Sequence, residues 1–451
     1  MTSHFLRNAA AISALALIPA ATAALAEADA TNYAAIGEFM DVFQKVRSDY
    51  VDKVDDDKLI RGAIAGMLSS LDPHSDYLDE SDYQNLAIKL EGSYGGLGLS
   101  VTTEEGAVKI IAPIEDTPGY RAGLKSGDYI THINGELIYD VSLDEAVSKM
   151  RGAAGTAIKL TIVRPGRDKP FDVDLVREKI DLKPVKWEVK DGVGIININE
   201  FSANTGADVR DAVRGIAKAL GRKPTGYVLD LRSNPGGILG EAVGVSGVFL
   251  DGGEVVSDRG RNKGDIHRYY ADRNDDTGGA PVIVLIDGGS ASASEIVAGA
   301  LQDHHRALVM GERSFGKGSV QTVIPISETT GIKLTTSRYY TPSGRSIQEG
   351  GIRPDVRVPQ LSDPDYKSRP QIRESDLRRH LLNETKAADP ALEEDSKADP
   401  RFSQTPDQLK AKGITDFQLS YALQTISRLG EPPAKGGAVA ATEALKKAAA
   451  K

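Results

Sequence analysis

Cysteine is absent from this 451-residue sequence, and histidine and tryptophan are scarce, with 7 and 1 residues respectively. The lack of cysteine excludes a thiol nucleophile, a thiolate zinc site, structural disulfides and a lipidated N-terminal cysteine. No H-E-x-x-H pair occurs, which excludes a zincin. Acidic residues outnumber basic ones, 64 to 55, so the chain lacks the excess of positive charge that is typical of nucleic-acid-binding proteins. The functions that remain use hydroxyl, carboxylate or amine chemistry, or binding alone.

Residues 1–26 have the three parts of a secretory signal peptide. A short segment with one arginine precedes an apolar run, and the run ends in Ala24-Leu25-Ala26, an A-x-A cleavage signal. An uncleaved membrane anchor is the alternative, but the run is rich in alanine and contains Pro19. No later segment approaches ~18 consecutive apolar residues. We therefore expect an exported protein with no membrane span after cleavage.

The rest of the chain divides into four segments by composition. Residues 27–90 carry apolar side chains at helical spacing and predict a helical segment. Residues 91–176 are rich in glycine and short β-type runs. Residues 177–360 alternate predicted strands and helices, which indicates an α/β core with a mainly parallel sheet. Residues 361–451 are charged and rich in alanine and lysine.

The last of these segments predicts one amphipathic helix at residues 415–429, with Leu419, Ala422, Leu423 and Ile426 on one face. The helix could dock on the core, dimerise or bind an adaptor protein, and docking is the expected role. The stretch from Glu431 to Lys451 is expected to be mobile.

A peptide-binding motif begins the glycine-rich segment. Gly95, Gly96, Leu97 and Gly98 are followed by a strand that starts at Leu99. Backbone N–H groups in such a run can form a nest for a carboxylate, and a free strand edge beside it suits an extended peptide. A second run reads A-G-L-K-S-G-D-Y-I and precedes I-N-G. Together these motifs resemble a PDZ domain of mixed β-structure with two helices, which implies binding of C-terminal tails.

The candidate nucleophiles lie at residues 287–295, which read D-G-G-S-A-S-A-S-E between a predicted buried strand and a helix. A hydroxyl on this corner would lie beside free N–H groups at the helix N-terminus, an environment that favours an oxyanion. The alternative is that Ser290, Ser292 and Ser294 only cap the helix, which is the commoner role of serine at this position.

Two further motifs supply candidate partners. Residues 311–321 read G-E-R-S-F-G-K-G-S-V-Q, and a buried lysine with a lowered pKa can act as a general base. Residues 230–237 read D-L-R-S-N-P-G-G after another predicted strand, where a glycine N–H could be a second oxyanion donor.

These motifs, together with Y-Y-T-P-S-G-R-S-I-Q at residues 339–348 and the PDZ-like segment, resemble the carboxy-terminal processing proteases. The resemblance implies an α/β protease core with an inserted PDZ domain and Ser-Lys catalysis without metal or organic cofactor. By position it implies Ser292 as the nucleophile, Lys317 as the base and Gln321 as the residue that orients the lysine.

The same resemblance implies an oxyanion hole formed by the amide of Ala293 and a glycine of the N-P-G-G turn, Gly237 in preference to Gly236. The expected partners are proteins or peptides with free, apolar C-termini, with an adaptor or a second copy left open. The signal peptide and the bacterial character of the family together indicate the periplasm.

Two rival functions remain. A Ser-His pair with His304 or His305 would place the groups about 18 Å apart along one helix, too far for a hydrogen bond. A non-catalytic PDZ scaffold would present tails to a partner, with the serine corner as a helix cap and Lys317 solvated.

Overall fold

The structure is a computed structural model that describes residues 18–104, 106–366, 368, 371–384, 399–428 and 438–449. Most of the predicted signal peptide, residues 1–17, lies outside these ranges. Residues 431–437 and 450–451 of the expected mobile end also lie outside them.

The first of two compact units ends at Ser70. Its described part consists of two helices, α1 (Ile18–Asp49) and α2 (Asp56–Ser69). The carboxylate of Asp55 caps α2 by accepting a hydrogen bond from the backbone N–H of Lys58 at 3.0 Å. Across the described ranges, no helix combines the length and hydropathy needed to cross a bilayer.

The second unit begins at Leu71 and contains three main sheets. Its first elements are β1 (Asp76–Leu78), α3 (Glu80–Glu91), β2 (Ser93–Gly96), β3 (Leu99–Glu104), β4 (Ala107–Pro113), α4 (Pro118–Arg121), β5 (Tyr129–Ile133), β6 (Glu136–Leu137), α5 (Leu143–Met150), β7 (Ala157–Val163), β8 (Phe171–Val176) and β9 (Glu178–Asp181).

The central elements are β10 (Val185–Lys190), β11 (Val193–Ile198), α6 (Thr205–Leu220), β12 (Tyr227–Asp230), α7 (Leu239–Phe249), β13 (Asp251–Arg259), β14 (Ile266–Arg273), β15 (Val282–Ile286), α8 (Ala293–Asp303), β16 (Leu308–Gly311), β17 (Ser319–Pro325), β18 (Gly331–Tyr340) and β19 (Val356–Arg357). A 3-10 turn (Glu374–Asp376) and helices α9 (Pro406–Ala411), α10 (Phe417–Ser427) and α11 (Ala438–Ala449) follow.

The predicted PDZ segment forms an antiparallel sheet in the order β3-β4-β5-β7-β8, with β6 paired to β5. Ile110, Ile130 and Leu160 are fully buried between this sheet and the side chains around α5. Strands β2 and β9 pair antiparallel where the chain enters and leaves the segment.

The protease-like segment is built on a sheet in the order β10-β11-β12-β15-β16-β19, in which every pair after β10-β11 is parallel. The predicted α/β fold is therefore confirmed. Successive residues of β12 face opposite sides, because side chains alternate along a strand. Leu229 packs with the residues of α6, α7 and α8, whereas Val228 packs with those of α9 and α10. A second, antiparallel sheet contains β1, β18, β13 and β14, with β17 against β18.

The C-terminal segment covers the second face of the parallel sheet. The predicted amphipathic helix is α10, and its Ala422 and Ile426 are fully buried in the same cluster as Val228. Part of the end that we expected to be mobile forms α11, and Leu445 and Ala449 of α11 are buried in this cluster. Alanine and leucine favour a helix, and residues four apart lie on one face of it, so this stretch packs where the composition alone predicted mobility.

Candidate active site

The corner between β15 and α8 exposes a serine in a strained conformation. All five residues of β15 are buried, and the chain then turns through Asp287-Gly288-Gly289 into α8. Ser292 is the N-cap residue of α8 and has φ 54° and ψ −112°. A positive φ is costly for a non-glycine residue and persists only where the surroundings enforce it. Hydrolases of other α/β folds expose a nucleophilic serine on a similar strained strand-to-helix turn.

The three serines of this corner differ in the hydrogen bonds that their hydroxyl groups make. The hydroxyl of Ser290 donates to the carbonyl of Leu231 at 2.8 Å, and that of Ser294 donates to the carbonyl of Asn234 at 2.9 Å. Both side chains are fully buried. Ser292 is partly exposed, and within the described part of the chain its hydroxyl makes no capping hydrogen bond. Ser290 and Ser294 thus have structural roles, which leaves Ser292 as the available hydroxyl.

A buried carboxylate links this serine to the lysine motif. Oε2 of Glu295 accepts hydrogen bonds from the backbone N–H groups of Ser292 at 2.8 Å and of Lys317 at 2.9 Å. Oε1 of Glu295 accepts from the Ser314 hydroxyl at 2.6 Å and from the Gly316 N–H at 2.7 Å. The Glu295 side chain is fully buried, and burial raises its pKa to about 7 although these hydrogen bonds act in the opposite direction.

The amine of Lys317 has the environment of a base. Burial lowers the pKa of Lys317, and the nearby Lys333 ammonium acts in the same direction. The carboxylates of Glu374, Glu295 and Asp72 partly oppose this lowering. Among the described residues, the Lys317 amine has no hydrogen-bond or ion-pair partner, Ser292 included.

Gln321 does not contact the lysine amine in this structure. Its side-chain amide donates to the Ser319 hydroxyl at 2.9 Å and to the Thr335 hydroxyl at 3.2 Å. Its position on β17 is close along the chain to Lys317, and its role in orienting that residue stays a prediction.

The N-P-G-G turn lies directly against Ser292. A Cβ atom built on Gly236 would lie 2.7 Å from the Cβ of Ser292 and 2.9 Å from the amide nitrogen of Ala293. The amide of Gly236 already donates to Oδ1 of Asn234 at 2.9 Å. Within the described ranges, the amides of Gly237 and Ala293 have no hydrogen-bond partner. The geometry therefore favours Gly237 and Ala293 as the donors available to an oxyanion.

Two carboxylates that act on the pKa of Lys317, those of Asp72 and Glu374, are held by long-range contacts that the sequence does not predict. Oδ1 of Asp72 accepts a hydrogen bond from the Thr335 hydroxyl at 3.1 Å. Nε2 of His74 lies 2.8 Å from Oε2 of the fully buried Glu374. These partners are 263 and 300 residues apart in sequence, so no local pattern identifies them.

Two other functional residues carried a local signal. Ser292 and Glu295 fit the S-x-x-E capping-box pattern, which predicts that Glu295 reaches back to the backbone at residue 292. Asn234 is fully buried, and its side-chain amide donates to the carbonyl of Ile198 at 2.7 Å. Its side-chain oxygen accepts the N–H of Gly236 two residues on, and an asparagine in a strand-end turn often binds the nearby backbone in that way.

Some of the predicted tail-binding residues line a groove, and others are part of the structural framework of the PDZ segment. Gly95 and Leu99 line a cleft of about 1080 Å³, together with Val147 of α5 and with Lys333. Gly96 pairs with Glu178 in the β2-β9 ladder. The Leu97 side chain is buried in the PDZ core, and the amides of Leu97 and Gly98 have no hydrogen-bond partner within the described chain. The cleft therefore extends from the groove beside α5 to Lys333, the lysine whose ammonium group lowers the pKa of Lys317.

The histidines of the rival Ser-His function lie at the far end of α8. Ser292 precedes α8, whereas His304 follows it and binds the carbonyl of Glu254 through Nε2 at 2.7 Å. An eleven-residue helix spans about 16 Å. Across the described residues, no group of three or more His, Asp or Glu side chains has the arrangement of a metal site.

Comparison with known proteins matches three parts of the chain to protein families. Peptidase family S41 matches residues 192–358, the PDZ domain matches residues 109–164, and the N-terminal domain of the activating protease CtpB matches residues 14–82.

Two curated relatives and one solved structure are described as C-terminal processing proteases. A carboxy-terminal-processing protease of Bartonella bacilliformis is 49% identical over 352 residues, which cover 78% of this chain and 81% of the relative. Carboxy-terminal processing protease CtpB of Bacillus subtilis is 37% identical over 354 residues, which cover 77% and 72%. Among solved structures, a photosystem II D1 C-terminal processing protease is 30% identical, with 71% and 92% of the two chains covered and a TM-score of 0.42.

Proposed function

The chain belongs to the carboxy-terminal processing proteases, serine peptidases of family S41, and on this premise we propose that Ser292 and Lys317 form its catalytic dyad. The observation that carries the proposal is the shared carboxylate of Glu295, which binds the backbone of both residues. This bridge fixes the backbone of Ser292, the available hydroxyl of the corner, relative to that of Lys317, whose buried amine has a lowered pKa.

The proposed reaction has two stages. The neutral amine of Lys317 removes the proton from the Ser292 hydroxyl while the oxygen attacks the substrate carbonyl. The amides of Ala293 and Gly237 donate to the oxyanion that forms, and Lys317 then gives its proton to the leaving amine. In the second stage water attacks the acyl-enzyme, Lys317 again accepts and returns the proton, and Ser292 is released as the hydroxyl.

The missing hydrogen bond between the lysine amine and the Ser292 hydroxyl fits this scheme. Catalytic hydrogen bonds are often long before substrate binds and shorten in the complex. We infer that amine and hydroxyl meet when a substrate chain occupies the site.

The substrates that we propose are proteins with apolar, unstructured C-termini. The amides of Leu97 and Gly98 would receive the terminal carboxylate, and the groove beside Leu99 and Val147 would receive the apolar side chains. Binding the tail beside the nucleophile raises the effective concentration of the peptide bond to be cleaved. The cleft shared with Lys333 supports a path from this groove toward Lys317.

Export to the periplasm remains part of the proposal, because the N-terminal sequence has the order of a signal peptide. Expression in a Gram-negative host followed by N-terminal sequencing and fractionation tests this. A mature chain that begins after Ala26 and is released with the periplasm is expected. A full-length chain in the cytoplasm would contradict it.

The test of the proposed function is cleavage of a reporter protein fused to an unstructured tail with an apolar, free C-terminus. The wild-type chain should cleave it, and Ser292→Ala should bind the tail without cleaving. The same reporter with an amidated C-terminus is the matched control, and it should be cleaved more slowly because the carboxylate nest has no anion to bind. Equal cleavage of both reporters would overturn the role of the tail, and cleavage by Ser292→Ala would overturn the dyad.

A further inference from the structure

The turn that carries Gly237 is preceded by Arg232, whose guanidinium group is hydrogen-bonded on two sides. Nε of Arg232 donates to Asp230 Oδ1 at 2.8 Å, and Nη2 donates to Asp230 Oδ2 at 2.6 Å. On its other side the guanidinium makes a two-point contact with Asp416, from Nη1 to Oδ1 at 2.9 Å and from Nη2 to Oδ2 at 2.7 Å. Nη1 also donates to Oε1 of Gln418 at 3.0 Å. Only 14% of the Arg232 side chain is exposed.

The second group of partners belongs to the C-terminal segment. Asp416 is the N-cap residue of α10 and accepts the Leu419 N–H at 3.0 Å. The side-chain amide of Gln418 donates a hydrogen bond to the backbone carbonyl of Val358 at 2.7 Å, which fixes this end of the helix to the core. Arg232 and Asp416 are separated by 184 residues, so the contact exists only because α10 docks on the parallel sheet.

The rest of the turn is held by the catalytic core, where the Asn234 carbonyl accepts the Ala291 N–H at 3.0 Å and the Gly236 carbonyl accepts the Phe201 N–H at 2.9 Å. The amide of Ser233 donates to Asp287 Oδ1 at 2.7 Å, and Asn234 bonds to Ile198 and to Gly236 as described above. Within the described ranges, Arg232 links this turn to the C-terminal segment through Asp416 and Gln418. A two-point arginine–carboxylate pair fixes orientation as well as position.

We propose that Asp416 is a positioning residue, through which the C-terminal helix holds the turn that presents the Gly237 amide to the oxyanion. This inference rests on the proposed function. Without the charge of Asp416, Arg232 keeps Asp230 and Gln418 as partners, so the turn loses orientation rather than its fold. An oxyanion donor that is slightly displaced weakens binding of the transition state more than binding of the substrate.

The experiment compares Asp416→Asn with wild type on a fluorogenic peptide that has an apolar, free C-terminus. Asparagine is as good an N-cap as aspartate, so α10 keeps its cap while the charge of the pair is lost. We expect kcat to fall about tenfold while KM and the affinity for a non-cleavable tail peptide stay unchanged. The affinity for a peptidyl boronate, whose tetrahedral adduct carries an oxygen in the oxyanion position, should fall by the same factor.

Two further variants complete the design. Asp416→Glu keeps the charge and should recover most of the lost kcat. Asp407→Asn removes an exposed carboxylate from the same segment and should behave as wild type, because Asp407 has no contact with Arg232.

Three outcomes would overturn the inference. The first is an unchanged kcat in Asp416→Asn. The second is a loss of tail binding and thermal stability in parallel with kcat, since either result means that the pair is only structural. The third is a fall in kcat without a matching fall in boronate affinity. If wild type and Ser292→Ala cleave the peptide equally, it is the proposed function that fails.

Discussion

Ser292 and Lys317 donate their backbone N–H groups to the same atom, Oε2 of Glu295, at 2.8 and 2.9 Å. The strand–helix corner and the glycine-flanked lysine loop are therefore fixed relative to each other by one buried side chain. The backbone is held in place while the two side chains stay free to react. Rigid support of this kind is what precise placement of reacting groups requires.

The first prediction concerns the dyad itself. Ser292→Ala and Lys317→Ala should each reduce cleavage of the apolar-tailed reporter by a factor of at least about 10³, because each removes a group that forms or breaks a bond. Lys317→Arg should be equally inactive, since arginine stays protonated and cannot accept the proton. Thermal unfolding should show that all three variants fold. Normal turnover by Lys317→Ala would leave only the tail-binding scaffold or another base.

The pH dependence of kcat/KM gives a second prediction. Only the neutral amine of Lys317 can act as a base, so activity should rise with pH through an ionisation below the ordinary lysine value of 10.5. Lys333→Gln removes the ammonium that assists burial in lowering this pKa, and the ionisation should move to higher pH. Lys186→Gln, an exposed lysine, is the matched control. Two results would contradict the role of Lys317 as the base. One is a pH profile that Lys333→Gln does not shift, and the other is an activity that changes at pH 6–7, where histidine ionises.

The third prediction links stability to pH through Glu295. Its pKa is raised from 4.5 to about 7 in the folded chain, so the folded state holds this proton more tightly than the unfolded state. The contribution of Glu295 to the free energy of unfolding is complete below pH 4.5 and is lost as the pH rises to about 7. The difference between wild type and Glu295→Gln in the free energy of unfolding should therefore fall by on the order of 3 kcal/mol from low pH to pH 8. The exposed Glu188→Gln variant should show no such change, and a constant difference for Glu295→Gln would refute the assignment.

The fourth prediction concerns the tight approach of the glycine turn. A methyl group at Gly236 would meet the Cβ of Ser292 at 2.7 Å, and its φ of +101° is unfavourable for any other residue. Gly236→Ala should lower kcat by roughly 10²-fold by displacing the turn from the oxyanion position. A methyl group at Gly240 would have its nearest neighbouring atom 4.0 Å away. The helical control Gly240→Ala should therefore keep full activity and be at least as stable as wild type. Full activity of Gly236→Ala would show that this turn is not part of the site.

Local patterns in the sequence were sufficient for the family and the α/β core, and they predict the position of the candidate site. The family and fold predicted from four spaced motifs are confirmed, because a motif is a local property that can be identified before the fold is known. The docked helix α10 was also predictable, since its apolar face repeats at helical spacing. The packed helix α11 was not, because alanine-rich composition does not reveal whether a surface exists to cover it.

The tertiary structure decided what the motifs left open. Of three serines with the same local pattern, only long-range hydrogen bonds to Leu231 and Asn234 distinguish the structural pair from Ser292. The preference for Gly237 over Gly236 likewise depends on which amide a folded side chain already occupies.

The sequence by itself determined which chemistry was possible, because residue types and their local spacing are written in it. Only the fold determined which groups are free, which are buried and which are joined across as many as 300 residues, because burial and long-range contacts arise from the whole packed chain.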